Sequence, residues 1–134
     1  MWTCEQVNKL INVNMEIDAG YKKLNVFCKS DELVIFIYKY TKDFPRDEVF
    51  GLVSQMRRAA VSVPANIVEG YGRNNKWERL QFCYIAKGSL MELEYYIDLS
   101  YKLGYINEEK YRTLNLKRSE VGRLLNGFIN YQKR

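Results

Sequence analysis

The chain contains no histidine. The commonest general base at neutral pH and the commonest zinc ligand are therefore both missing. Two prolines and eight glycines in 134 residues are too little punctuation for many short strands, and favour a few long helices. Cys4, Cys28 and Cys83 are odd in number and share no metal or redox spacing, so they read as reduced, buried thiols. The longest apolar run, Leu33 to Tyr38, falls far short of a membrane span. The N-terminus is polar and mixed in charge, unlike a signal peptide. These absences fit a cytoplasmic protein with no membrane association, metal or cofactor.

What is present is a helix-forming pattern. The composition, 47% hydrophobic and 28% charged, is that of a globular domain. Ser54 to Arg73 carries three stripes at about 100° per residue. Met56, Ala60, Val63 and Ile67 form a core stripe, edged by Val53 and Gly70. Val61, Ala65, Val68 and Gly72 repeat on roughly the opposite side, where a lone bundle meets water. Arg58, Ser62, Asn66, Glu69 and Arg73 run between them. The second stripe implies burial on both sides, in an oligomer; tolerated surface alanine and valine is the other reading. Pro64 removes one backbone bond, to the carbonyl of Ala60, and predicts a kink in a continuous helix.

Four helices follow from periodicity and end signals. The first spans about Asn25 to Asp43 through Val26, Phe27, Ser30, Leu33, Val34, Ile37, Tyr40 and Thr41. Ile35, Phe36 and Tyr38 make it apolar on most of its circumference. The second spans about Asp47 to Gly72, with Asp47 and Glu48 at its positive end. The third starts at Asn75, with Glu78 completing a capping-box-like start, and ends at Lys102 and Gly104. Its expected seam is Phe82, Ala86, Ser89, Leu93, Tyr96 with Ile97, Ser100 and Leu103. The fourth starts at Asn107 and buries Tyr111, Leu114, Val121, Leu125 and Phe128, with Leu124 and Ile129 alongside. Short connections make consecutive helices antiparallel. The expected fold is all-α, an up-down-up-down four-helix bundle over residues 21–134. Residues 1–20 read as a loosely attached arm, in which Val7, Leu10 and Ile11 suit one helical turn. Met15 offers an alternative start.

The run Gly51-Leu52-x-Ser54-Gln55-Met56-Arg57-Arg58-Ala59-Ala60-Val61-Ser62-Val63-Pro64-Ala65-Asn66-Ile67-Val68-Glu69-Gly70 resembles the signature of a four-helix-bundle family encoded in intervening sequences of bacterial 23S ribosomal RNA genes. Tyr21-x-x-Leu24-x-Val26-Phe27 is similar to that family's opening segment, with Phe27 where tryptophan is usual. Leu93-x-Tyr95-x-x-x-Leu99 is similar downstream. The resemblance covers roughly residues 21 to 131. It implies a homopentamer and a distant relation to the accessory variability protein of diversity-generating retroelements, a basic pentamer that binds reverse transcriptase and RNA. It does not imply a known activity.

Charge is segregated on a chain of net +5. Residues 51–91 and 107–134 each carry net +4, while residues 1–50 carry −1 and residues 92–106 carry −2. Lys76, Arg79, Lys110, Lys117, Arg118 and Arg123 are candidate phosphate contacts, with Tyr71, Trp77 and Tyr131 available for stacking. A solvated, merely basic surface fits the same pattern. Val61, Ala65, Val68, Arg58, Asn66, Glu69 and Arg73 are candidate oligomer-interface residues. Arg58, Asn66, Glu69 and Arg73 superficially resemble a catalytic cluster, yet their helical spacing suits mutual structural pairing. A nuclease would want clustered carboxylates or a histidine. The expected function is a basic, non-enzymatic homo-oligomer that binds RNA or DNA. The alternative is an oligomeric adapter for a protein such as a reverse transcriptase.

Overall fold

The computed structural model describes residues 3–7, 9 and 20–134. Four long helices dominate: α1 (Asn25–Thr41), α2 (Leu52–Tyr71), α3 (Lys76–Lys102) and α4 (Glu108–Lys133). No strand occurs among the described residues. The helices form a bundle in which α1 packs on α2 and α4, and α3 packs on the same two. No helix among the described residues is long and apolar enough to cross a membrane.

Cap chemistry sets the helix ends. Asn75 accepts from the Trp77 and Glu78 backbone N–H groups, and Asn107 accepts from that of Lys110. Beyond α3, Gly104 has φ +78°, the left-handed geometry that glycine adopts without penalty. The Gly104 N–H then reaches Tyr101 O and the Tyr105 N–H reaches Ser100 O, closing a Schellman motif. The start of α2 differs from expectation. Arg46–Glu48 is a separate 3₁₀ turn, and α2 begins only after Gly51. Asp47 and Glu48 therefore do not belong to its first turn. α1 ends at Thr41, two residues early, because Phe44 precedes Pro45 and turns back, its N–H bonding Thr41 O. α2 runs unbroken across Pro64.

The core collects the expected stripe of α2, with Val53, Met56, Ala60, Val63, Ile67 and Gly70 all buried. Ser30, Leu33, Ile37 and Thr41 face it from α1, and Leu114, Val121, Leu125 and Ile129 from α4. Each fully buried aliphatic side chain contributes about 1.5–3 kcal/mol. The seam of α3 is rotated from the expected one. Leu80, Cys83, Ala86, Leu90, Leu93, Ile97 and Ser100 are buried, whereas Phe82, Ser89 and Tyr96 lie half-buried at its edge and Leu103 is exposed. Both series are built from steps of three and four and share Ala86, Leu93, Ile97 and Ser100. α2 approaches this helix closely at Gly70, where an added Cβ would lie 3.0 Å from Phe82 Cβ and 3.4 Å from Arg79 O. Polar groups in the core are satisfied: Ser100 Oγ lies 2.7 Å from Tyr96 O, and Thr41 Oγ1 donates to Ile37 O at 2.7 Å.

The described part of the N-terminal segment meets the bundle. Thr3 and Gln6 form a reciprocal capping box that starts a helical turn over residues 4–7. Cys4 is buried, its thiol 2.7 Å from Cys28 Sγ of α1. Leu10 and Ile11, also expected in a turn, lie outside the described residues.

Candidate functional site

One end of the bundle gathers cations from both basic stretches of the sequence. Here α2 stops, α3 starts and α4 stops. Lys76 Nζ donates to Lys133 O at 2.7 Å and lies 3.3 Å from Arg134 O. Arg79 donates through Nε to Gln132 Oε1 at 3.0 Å, and through Nη1 to Arg73 O and Asn74 O at 3.1 and 2.7 Å. Arg73 pairs with Glu69 at 2.6 Å, with its guanidinium 5.3 Å from the Phe82 ring centre. Lys133 Nζ lies 5.9 Å over the Tyr84 ring. Trp77 is 73% exposed and Tyr131 67% exposed at the same end. The oxygens of Lys133, Arg73, Asn74 and the Gln132 amide are neutral, so they orient Lys76 and Arg79 without cancelling their charge. The arrangement offers fixed cations beside uncovered aromatic faces.

The other candidate phosphate contacts lie elsewhere. Lys110 sits 5.2 Å over the Tyr40 ring and 3.9 Å from Asp43, and Lys117 lies 4.2 Å over Phe36. Both therefore line the junction of α4 with α1. Arg118 faces α3 instead, 3.4 Å from Glu94 and 3.4 Å from Asn115 Oδ1. Arg123 is exposed. The six candidates thus occupy four places: Lys76 and Arg79 share the bundle end, Lys110 and Lys117 share the α4–α1 junction, and Arg118 and Arg123 each stand apart.

The candidate interface residues stay on the outside of α2. Val61 and Ala65 are exposed and Val68 is half-buried. Arg58 is exposed; Asn66 Nδ2 donates to Ser62 O and Ser62 Oγ at 2.7 and 2.9 Å, and Ser62 Oγ lies 2.7 Å from Ser89 Oγ of α3. This polar seam joins α2 to α3, and the Asn66 amide serves Ser62, not the Ala60 carbonyl left open by Pro64. A groove of about 880 Å³ runs beside it between α1 and α2. Tyr38, Val53, Val61 and Ala65 line it, with Phe50, 94% exposed, at its rim. Arg57 borders it, donating to Thr41 Oγ1 at 3.0 Å with its guanidinium 4.5 Å over Tyr38. No group of three or more His, Cys, Asp or Glu among the described residues could hold a metal.

A family model described as 23S rRNA-intervening sequence protein matches residues 22–127. The chain belongs to this family. A similar solved structure is that of a protein of unknown function from the S23 ribosomal protein family of Bacteroides thetaiotaomicron VPI-5482. It shares 27% identity, covering 78% of this chain and 95% of that one, with a TM-score of 0.72. No curated protein matches.

Two surface features of this family member escape sequence reasoning. Phe50 sits in a connection, where a single aromatic carries no periodic signal. Tyr84, Met91 and Tyr95 join Trp77 on the outer face of α3, all exposed. Their spacing of seven, seven and four was a legible helical repeat. Among titrating groups, burial, then the hydrogen bond to Cys28 and the charges of Cys28, Asp31 and Glu32, push the Cys4 thiol up to about 12. Burial raises Cys83, opposed by Arg79. Tyr96 and Tyr111 are raised first by hydrogen bonds to the Glu92 and Asp98 carboxylates. None of these shifts poises a nucleophile or base near neutral pH.

Proposed function

We propose that this protein is a basic, non-enzymatic homo-oligomer that binds nucleic acid, RNA foremost, through phosphate contacts at the end of the bundle where Lys76, Arg79, Lys133 and Arg134 converge. The observation that carries this reading is that convergence beside exposed Trp77 and Tyr131. Phosphates answer to the cations and unpaired bases to the rings, so binding is sequence-tolerant and salt-sensitive. Lys110, Lys117, Arg118 and Arg123 add weaker lateral contacts. The helices run up-down-up-down, α2 bends at Pro64, and the protomers close into a pentamer in the cytoplasm. The tie of Lys76 at the start of α3 to the end of α4, and of Asp98 to Tyr111 at their other ends, supports the antiparallel order. A ring repeats each cationic end, so weak contacts add through avidity.

A second reading has its own observation. The groove with Phe50 at its rim suits an adapter that docks a protein partner, such as a reverse transcriptase. The test is binding of the purified protein to a single-stranded RNA across a salt titration. Affinity that falls steeply with salt supports the nucleic-acid reading. No binding near about 50 mM salt, where phosphate contacts are at their strongest, with the oligomer intact, overturns it in favour of the adapter.

A further inference from the structure

Each protomer carries two apolar faces of opposite shape and opposite charge. The first is the concave groove of α1 and α2. The charged residues that line it are Lys42, Arg57 and Arg58, with no acid among them. Between those cations the lining is apolar along Tyr38, Val53, Val61 and Ala65, and Phe50 at the rim is 94% exposed. The second is the convex outer face of α3. Trp77, Tyr84, Met91 and Tyr95 form one line along it, Met91 63% and Tyr95 61% exposed. From Met91 to Leu99 this helix carries Glu92, Glu94 and Asp98 and no cation. Unlike the basic end, this half of α3 is acidic and apolar, and so unsuited to phosphates.

We infer that the Met91–Tyr95 ridge of one protomer seats in the α1–α2 groove of a second copy of the chain. The occupant follows from complementarity. Groove against groove would set Lys42, Arg57 and Arg58 against their own copies, and ridge against ridge would oppose Glu92 and Asp98 to themselves; both arrangements juxtapose like charge. Groove against ridge places three cations opposite Glu92 and Asp98 around an apolar centre, Glu94 being already paired with Arg118 of its own protomer. The contact is therefore heterologous, with different patches on the two sides, and repeated contacts of this kind close into a ring or extend into a filament. The inference rests on the oligomeric part of the proposed function and names the two surfaces that build it. It adds the α3 ridge, which lies apart from the outer stripe of α2.

The test is dead-end complementation, read by light scattering with helicity followed by circular dichroism. Ala65→Glu blocks the groove, and Met91→Glu with Tyr95→Glu blocks the ridge. Each variant alone is expected to fall from the assembled mass to the 15.9 kDa protomer with helicity retained. Mixed, they are expected to form a heterodimer of twice that mass and nothing larger, since one good ridge meets one good groove. Val61→Ser and Tyr95→Ser, both at exposed positions, repeat the test if a glutamate costs helicity. A ridge variant that keeps the wild-type mass overturns the inference and leaves the oligomer standing, as does a mixture that fails to combine. A monomeric wild type overturns both.

Discussion

Lys76 Nζ lies 2.7 Å from the Lys133 carbonyl oxygen, a tie across 57 positions of sequence. The partner is neutral, so the first residue of α3 keeps its charge while being held beside the end of α4. Lys76→Glu with Lys133→Glu is expected to weaken RNA binding for all sequences alike. It is also expected to flatten the slope of log affinity against log salt, by about one unit for each phosphate that is no longer neutralised. Lys117→Glu with Arg118→Glu is expected to cost less binding, since Lys117 is spread over Phe36 and Arg118 already faces Glu94. Filter binding at several salt concentrations compares the two pairs.

Gly70 permits α2 and α3 to touch. Gly70→Ala forces a methyl to within 3.0 Å of Phe82 Cβ and is expected to destabilise the fold by about 1–3 kcal/mol, although alanine favours helix. Gly104→Ala has open space but a φ of +78°, and is expected to cost about 1–2 kcal/mol through backbone strain alone. Urea denaturation of both variants separates crowding from strain only if each loses stability; an unchanged Gly70→Ala would contradict the close packing.

Asp31 sits at the edge of α1, its carboxyl raised by burial and by neighbouring Glu32. A raised carboxyl favours the protonated form in the folded state. Its stabilisation is complete below the unfolded value of 3.8 and is lost as pH rises through the folded value. Asp31→Asn is therefore expected to raise the thermal midpoint at pH 7 and to leave it unchanged in acid below the carboxylate range. Calorimetry at both pH values checks the sign.

The Cys4 thiol titrates at about 12 in the fold against 9.0 when unfolded. The unfolded chain thus releases this proton first, and stability declines as pH rises from 9.0 toward 12. Cys83, Tyr96 and Tyr111 act in the same direction. Denaturant midpoints are expected to fall over that window, and Cys4→Ala is expected to make the fall shallower.

Local rules made some elements legible and left others hidden. Asn75, Gly104 and Asn107 mark ends by side-chain or backbone chemistry that acts within four residues, and all three stand where their caps require. Thr3 and Gln6 obey the same rule, but the apolar pattern around them is too weak to draw attention to it. The false start at Asp47 came from acids that suit a first helical turn, with no signal that Gly51 would reset the chain. The seam of α3 was hidden because Phe82 and Tyr96 are large and apolar, and a half-buried helix edge accepts such side chains as readily as a core does. The gathering of Lys76, Arg79, Lys133 and Arg134 could not be read from charge counts, since it depends on which helix ends meet.

Phe50 and Arg73 stand just beyond the two ends of α2, so the groove rim and the cationic cluster are kept a helix length apart. Copies joined through that groove in cyclic symmetry would all point the same way along the symmetry axis. Every cationic end would then emerge on one side, giving a ring with a single phosphate-attracting front. Such a body would lie against a folded RNA with one face only, leaving the other face open to a second partner at the same time.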